Sequence, residues 1–438
     1  MIRLKNGNLV FSDGVAEKDL LIDDGKIFKI VDRGEELSQS DLVYDCEGKY
    51  ILPGLIDAHV HFREPGQSYK EDWNSGSRAA VSGGVTSVLD MPNNNPPVLS
   101  CADLDAKREL VKGRSYVNYG FYIGFNGRNH EEINQAKNIP GVKYYACHST
   151  GEMGAYVGVK ELFENCNKLI VVHSEDQDVI EEMKKKYLEG VPEENLTPDL
   201  HSFVRAPEAA AVMTERLCAL VKETGHRMHI AHLSTEQELN ILDRYRDCPI
   251  TCEVAPHYLL FSDRDYEYLG SKIRMNPPVR SASDLFALWK ALKFGEIDII
   301  ATDHAPHTLE EKEESYHKVP SGIPGVEMLL PILLNAVNDE GLSLEELVRL
   351  CCERPAEIFG IKNKGRIETG YDADLVVVDM DLEKKMKNED FQSKCGWSPY
   401  ADIKFKGWPI KTFVNGELKF SDGEFFGSPG GLELAFCD

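Results

Sequence analysis

The sequence contains no Cys-x-x-Cys pair, no long apolar run, no glycine-rich phosphate loop, and too few basic residues to balance its acids. Each absence removes a class of function. The eleven cysteines, an odd number, are scattered, which argues for free thiols in a reducing compartment and against a disulfide framework or a cysteine zinc cluster. The most apolar stretches, such as MLLPILLNAV, fall well short of the about 18 residues that span a bilayer. The start, MIRLKNGNLVF, lacks the basic-then-apolar pattern of a secretory leader. A soluble, cytoplasmic protein is the expectation.

Lys and Arg number 49 against 73 Asp and Glu, a formal charge of -24. Such a surface repels phosphate backbones and anionic lipid, so neither nucleic acid nor a membrane is an expected partner. A small anionic substrate then needs a local cationic site, supplied by a metal or an arginine. No G-x-G-x-x-G turn follows the first strand of the central region, and neither G-x-x-x-x-G-K-[ST] nor G-x-S-x-G occurs. Dinucleotide binding, P-loop chemistry and the serine-hydrolase elbow all lose their support.

What is present falls into two textures. Residues 1–52 read as short alternating strands cut by turns, with Asp24-Gly25 inside DLLIDDGKIFKIVD; the same texture returns over 365–438, where Asn415-Gly416 divides two strands. Isolated hairpins gain little stability, so both ends are expected to pair into one small β unit. Over 53–364, buried apolar runs alternate with amphipathic segments, the pattern of βα units around a parallel sheet. Eight candidate strands occur: ILPGLIDAHVHF, GGVTSVLDMP, YVNYGFYIGF, GVKYYAC, KLIVVHSE, RMHIAHLS, ITCEVAPHYL and DIIATDHAPH. Helical segments such as APEAAAVMTERLCALVKETG and SDLFALWKALKFG separate them. The expected fold class is α/β, a (β/α)8 TIM barrel with a small β-sandwich built from both chain ends.

In a parallel barrel the strands are nearly continuous apolar runs, so a polar residue at a strand's C-terminal end calls for an explanation. His59 and His61 close the first strand, Asn93 follows the second, Lys143 lies in the fourth, His173 ends the fifth, His232 the sixth and Asp303 the eighth. Side chains two apart on a strand point the same way, so His59 and His61 can present two imidazoles to one ion. By the same parity, His229 and His232 diverge and only one reaches the interior; Asp303 and His304 diverge likewise. His307, four residues past Asp303, falls in the loop at the same mouth. Imidazole and carboxylate donors suit Zn²⁺ best among common ions, and four histidines with an aspartate exceed the needs of one ion, which points to two metals. A buried Lys143 beside two cations is then costly.

With these residues placed, the chain resembles the amidohydrolase superfamily and, within its cyclic-amide branch, the dihydroorotase family. The likeness runs nearly the full length and rests on DAHVHFREPG, GGVTSVLDMPNNNPP, GVKYYACHSTG, VVHSED, HIAHLSTE, TCEVAPHYL, NPPVR and ATDHAPHTLEEK. It implies that His59, His61 and Asp303 hold one metal, that His173 and His232 hold another, and that Lys143, N6-carboxylated, bridges both. It also implies that Arg63, Asn93 and His307 bind a substrate carboxylate and that Asn276 makes a ring contact. The implied reaction is reversible cyclisation of N-carbamoyl-L-aspartate to L-dihydroorotate in pyrimidine biosynthesis, through a metal-bridging hydroxide with Asp303 as general acid and base.

Allantoinases and the hydantoinase/dihydropyrimidinase group share the metals and the lysine, and Trp73 in KEDWNSG resembles the allantoinase pattern. Arg63 favours a substrate with a carboxylate. A non-catalytic scaffold is the remaining alternative, opposed by the presence of every ligand. Glu253 and His257 are expected to support or pack against the ligands, the 148–156 loop to act either as a lid or as plain surface, and the family likeness implies a homodimer.

Overall fold

The computed structural model describes residues 1–35, 42–148 and 158–437. The lid expectation for 148–156 therefore lies, apart from His148, outside the described residues. The chain opens with strands β1 (Ile2–Phe11), β2 (Gly14–Asp23), β3 (Lys26–Asp32), β4 (Leu42–Asp45) and β5 (Tyr50–Pro53). Eight parallel positions follow: β6 (Leu55–Val60), β7 (Val85–Asp90), β8 (Asn118–Phe121) continued by β9 (Ile123–Gly124), β10 (Val142–Tyr145), β11 (Ile170–His173), β12 (Met228–Ile230), β13 (Ile250–Val254) and β14 (Ile299–Ile300). The chain then returns through β15 (Leu375–Lys385), β16 (Lys404–Val414), β17 (Glu417–Ser421) and β18 (Glu424–Phe425).

The terminal strands form one nine-stranded, mostly antiparallel sheet in the order β18-β17-β16-β15-β5-β1-β2-β3, with β4 beside β1. Its two halves meet where β5 pairs with β15, Pro53 opposite Leu375 and Tyr50 opposite Val378. Leu4, Leu20, Ile22, Ile51, Leu375, Val377 and Phe413 fill its core. The Asp24-Gly25 and Asn415-Gly416 turns take positive φ at both residues, as tight hairpins require. They also touch: a Cβ on Gly416 would lie 2.7 Å from the Cα of Gly25, so glycine is needed there for space as well as for conformation.

All eight strand expectations correspond to barrel positions, and the third is split. At Tyr122 the ladder breaks between β8 and β9, and the ring turns inward so that its hydroxyl donates to the Ala58 carbonyl at 3.0 Å. Closure comes from a parallel bridge of Val60 to His304, reinforced by the His61 amide donating to the His304 carbonyl at 2.8 Å. Outward residues such as Leu55, Val60 and Val88 pack against the surrounding helices. Inward residues Ile56, Ala58, Leu89, Tyr122, Val171 and Ala301 close the floor together with Phe359, Leu434 and Phe436. This burial, at roughly 25 cal/mol per Å² of apolar surface, leaves the opposite end of the barrel free to carry polar groups.

Two local departures from regular strand geometry shape that end. In β6, Asp57 pairs with Val88 while Val60 pairs with Asp90, so Ala58 and His59 together oppose one residue. This bulge lets Ile56 and Ala58 face the floor and His59 and His61 face the rim. At the end of β12 the parity expectation fails. His229 points into the barrel, and His232 does too, because the chain leaves the strand after Ile230 and His232 takes φ +43°. A left-handed residue resets the alternation on which parity rests. Asp303 and His304 do diverge: His304 turns away and its Nδ1 accepts from the amides of Gly325 and Val326 at 3.0 and 3.3 Å.

Candidate metal centre

The rim brings His59, His61, His173, His232 and Asp303 together around one enclosed hollow of about 20 Å³, also lined by Arg63, Asn93, Tyr145 and Asn276. That is room for roughly one water. A larger hollow of about 570 Å³ adjoins it and shares Asn276 and Ser321. The Nε2 atoms of His59 and His61 converge on Asp303 Oδ1 at 3.3 and 3.0 Å. On the far side, His173 Nδ1 faces His232 Nε2 at 3.0 Å.

Three of the four imidazoles have their other nitrogen tied down. His59 Nδ1 meets Glu253 Oε1 at 2.5 Å, His61 Nδ1 meets Asn93 Oδ1 at 2.7 Å, and His173 Nε2 meets Glu175 Oε2 at 2.8 Å. An acceptor on one nitrogen fixes the ring and leaves the other as a lone-pair donor, the arrangement seen around metal-ligating histidines. Burial pushes His61 down to about 4, so its ring is neutral, as a ligand must be. Asp303 is also buried, which alone would raise it, but His59 and His61 hold it well below the usual carboxylate range.

Lys143 is the residue that most needs a partner. It is fully buried, and its Nζ has no hydrogen-bond partner. Burial lowers it to about 8 against the opposing pull of Glu253 and Asp303, which leaves part of it as free amine near neutral pH. An orphaned amine beside a converging set of nitrogen and oxygen donors fits a centre completed by metal.

Cys147, His173 and Glu175 also lie close enough together to hold an ion. Arg205 already fills that place, with Nε on Glu175 Oε2 at 3.0 Å and Nη2 on Cys147 Sγ at 3.0 Å. A guanidinium there supplies the positive charge and orients Glu175 on His173.

Of the four expected substrate contacts, Arg63 and His307 share one corner. Arg63 takes φ +62°, a strained setting for a non-glycine residue, and is held by its Nε on the Pro306 carbonyl at 3.0 Å. Its Nη2 lies 3.1 Å from His307 Nε2. His307 Nδ1 accepts from Lys70 Nζ at 3.0 Å, and Nε2 faces the Ser321 carbonyl at 3.1 Å. Nε2 thus stands between the donor Arg63 Nη2 and the acceptor carbonyl of Ser321. Asn276 lies across the hollow, with Oδ1 held by His201 Nε2 at 2.9 Å. Asn93 orients His61 as described, a placement the sequence reading had not assigned to it.

Gly322 closes this corner. A Cβ there would sit 2.3 Å from the Ala305 carbonyl oxygen and 2.9 Å from the His307 ring, at φ +142°. Replacing Gly322 by alanine is therefore expected to displace His307 and to lower kcat/KM by about tenfold or more, at a cost to stability of about 1 to 3 kcal/mol; steady-state kinetics beside thermal melting will read both.

Several groups at the site escaped sequence reading. Glu175 stands two residues after His173, a spacing that could have flagged it. Lys70, Arg205, Lys312 and Trp397, whose Nε1 donates to the His307 carbonyl at 2.7 Å, carry no such signal. Glu253 orients His59, and His257 has neither ring nitrogen bonded and packs on Tyr258 at 4.1 Å between centroids. Trp73 is a core residue, fully buried against Phe62, Tyr119 and Phe121. It is not among the residues lining the hollow.

Comparison with known proteins points the same way as this geometry. The family model described as "Amidohydrolase family" matches residues 50–419. The dihydroorotase of Methanothermobacter thermautotrophicus is 35% identical over 409 residues, covering 92% of this chain and 91% of that protein. The dihydroorotase of Halobacterium salinarum is 37% identical over 417 residues, 91% and 94% of the two chains. Among solved structures, the L-hydantoinase (dihydropyrimidinase) of Arthrobacter aurescens superposes with a TM-score of 0.95 at 29% identity, covering 99% of each chain. A barrel rim that gathers four imidazoles, a carboxylate and an orphaned lysine, under a family match spanning most of the sequence, leaves one assignment: the chain belongs to the amidohydrolase family, a family of metal-dependent hydrolases.

Proposed function

We propose that this chain interconverts L-dihydroorotate and N-carbamoyl-L-aspartate, the dihydroorotase reaction of pyrimidine biosynthesis. The observation that carries the reading is the corner formed by Arg63 and His307 next to the converging ligands. Arg63, Lys70, Arg274 and Lys312 stand there, with Asp303 and Asp90 acting on Arg63 and Glu311 on Lys70 and Lys312. That corner suits a carboxylate, on a protein whose overall charge is -24.

His59, His61 and Asp303 would hold one divalent ion and His173 with His232 a second. Lys143 would bridge them as a carbamate, formed when its free amine adds CO₂ and releases a proton. When bound, the two ions, for which Zn²⁺ is the best match to these donors, lower the pKa of a bound water and polarise the ring carbonyl. Glu253, Asn93 and Glu175 keep the imidazoles aimed. Asp303 takes the proton of the attacking water and passes it to the ring nitrogen as the C–N bond breaks. Arg63 and His307 hold the carboxylate, and Asn276 meets the ring. In the reverse direction the same groups close the ring.

The chain's eleven cysteines, all unpaired, are in keeping with the cytoplasm. Among the described residues no helix is long and apolar enough to cross a membrane. The family likeness further supports a homodimer, to be read by light scattering.

A second reading, ring opening of a hydantoin or a dihydropyrimidine, draws on the close superposition with the Arthrobacter aurescens enzyme. Those rings lack a carboxylate and would give the Arg63 guanidinium no anion to pair with. Replacing Arg63 by methionine separates the two. Losing a buried charge-assisted contact costs about 2 to 5 kcal/mol, so KM for dihydroorotate should rise by about a hundredfold or more with metal content unchanged. An unaltered KM would refute the carboxylate assignment.

A further inference from the structure

Lys312 ends the short helix Leu309–Lys312 and is only 3% exposed. Among the described residues no carboxylate lies within ion-pair distance of its Nζ. Instead Nζ reaches three backbone carbonyl oxygens: Arg274 at 3.1 Å, Pro320 at 3.0 Å and Gly322 at 3.0 Å. An ammonium group has three protons, and here each has one acceptor.

The three carbonyls belong to segments that wall the substrate corner. Arg274 precedes Met275 and Asn276, and its carbonyl also accepts the Gly322 amide at 2.9 Å. Pro320 and Gly322 flank Ser321, whose carbonyl faces His307 Nε2. The lysine itself ends the short helix that directly follows the His307 loop. Buried cations are costly without a counter-charge, and burial, followed by Arg274 and Arg63, depresses the Lys312 pKa well below the ordinary lysine value. A methionine of similar length would avoid that cost and still fill the space.

We propose that Lys312 is a positioning residue for the carboxylate end of the substrate: its ammonium ties together the three segments bearing Asn276, His307 and Ser321–Gly322 and adds positive charge behind Arg63. The inference rests on the carboxylate-substrate reading above. It predicts a defect confined to binding, because the tie reaches none of the candidate metal ligands directly.

The test is the Lys312→Met variant of the full-length, metal-loaded enzyme, with KM and kcat for L-dihydroorotate measured beside metal content and thermal melting. The expected result is a KM raised by about tenfold or more, kcat within about threefold of the unaltered enzyme, and an unchanged metal count per chain. Should Lys312→Met fail to fold, Lys312→Gln, which keeps donors for two of the three carbonyls, is read in the same way. An unchanged KM overturns the proposal. So does a kcat that falls in proportion with the metal count, since that marks general damage rather than positioning. If the unaltered enzyme itself does not turn over dihydroorotate, the substrate reading fails and this inference falls with it; normal turnover with an unaffected variant refutes Lys312 alone.

Discussion

Asp303→Ala is expected to lower turnover by about ten-thousandfold or more while the fold survives. The carboxylate sits where the two nearer imidazoles converge, 3.0 Å from His61 Nε2 and 3.3 Å from His59 Nε2. On the proposed mechanism, its removal would deprive one ion of its anionic ligand and the reaction of its proton carrier at once. The strand end does not depend on it, because the neighbouring Thr302 fastens that segment to β6 through its amide and hydroxyl, both donating to Asp57. Circular dichroism and melting should therefore be close to those of the unaltered protein. An active Asp303→Ala enzyme would sink the proposed proton path. Asp303→Asn keeps the shape and one oxygen donor, so it should retain more metal than the alanine variant and little more activity.

Lys143 carries the second large effect. Its Nζ has no hydrogen-bond partner and lies over the Tyr145 ring at 5.3 Å from the centroid, and a buried donor without an acceptor costs about 1 to 3 kcal/mol. Lys143→Met should therefore raise the stability of the metal-free protein by about that amount, while abolishing high-affinity binding of two ions. Lys143→Ala should lose both metal and activity, and a short carboxylic acid such as propionate should restore part of each by entering the vacated space. The two variants test different halves of the claim. If Lys143→Met is less stable without metal, the side chain has a partner in solution. If metal content does not change in either variant, Lys143 does not bridge.

The main features of the fold were legible because two periodicities are plainly written in the chain. Alternating strands with Asp24-Gly25 and Asn415-Gly416 turns mark the terminal sheet, and apolar runs ending in histidine or aspartate mark the barrel rim. Parity put His59 and His61 on one side, a bulge at Ala58–His59 notwithstanding. It misjudged the sixth strand, because a single residue at positive φ, His232, undoes an alternation that the sequence cannot show to be broken.

Trp73 is a different case. KEDWNSG resembles the allantoinase pattern, and the side chain lies in the core, not among the residues lining the hollow. What escaped altogether are the groups that act across the fold. Lys70 on His307, Trp397 on the His307 carbonyl and Lys312 on three carbonyls join segments far apart in the chain, and nothing local to them announces a role.

The central claim is that this centre is built for a cyclic amide bearing a carboxylate. The most direct measurement is kcat/KM for ring opening of L-dihydroorotate, hydantoin, dihydrouracil and allantoin by the same metal-loaded preparation. A site that dedicates buried polar groups to one substituent rejects ligands lacking it by about 10⁴-fold. Dihydroorotate should therefore exceed each of the others by about a thousandfold or more. Turnover of hydantoin, dihydrouracil or allantoin at a comparable or higher kcat/KM would contradict the account.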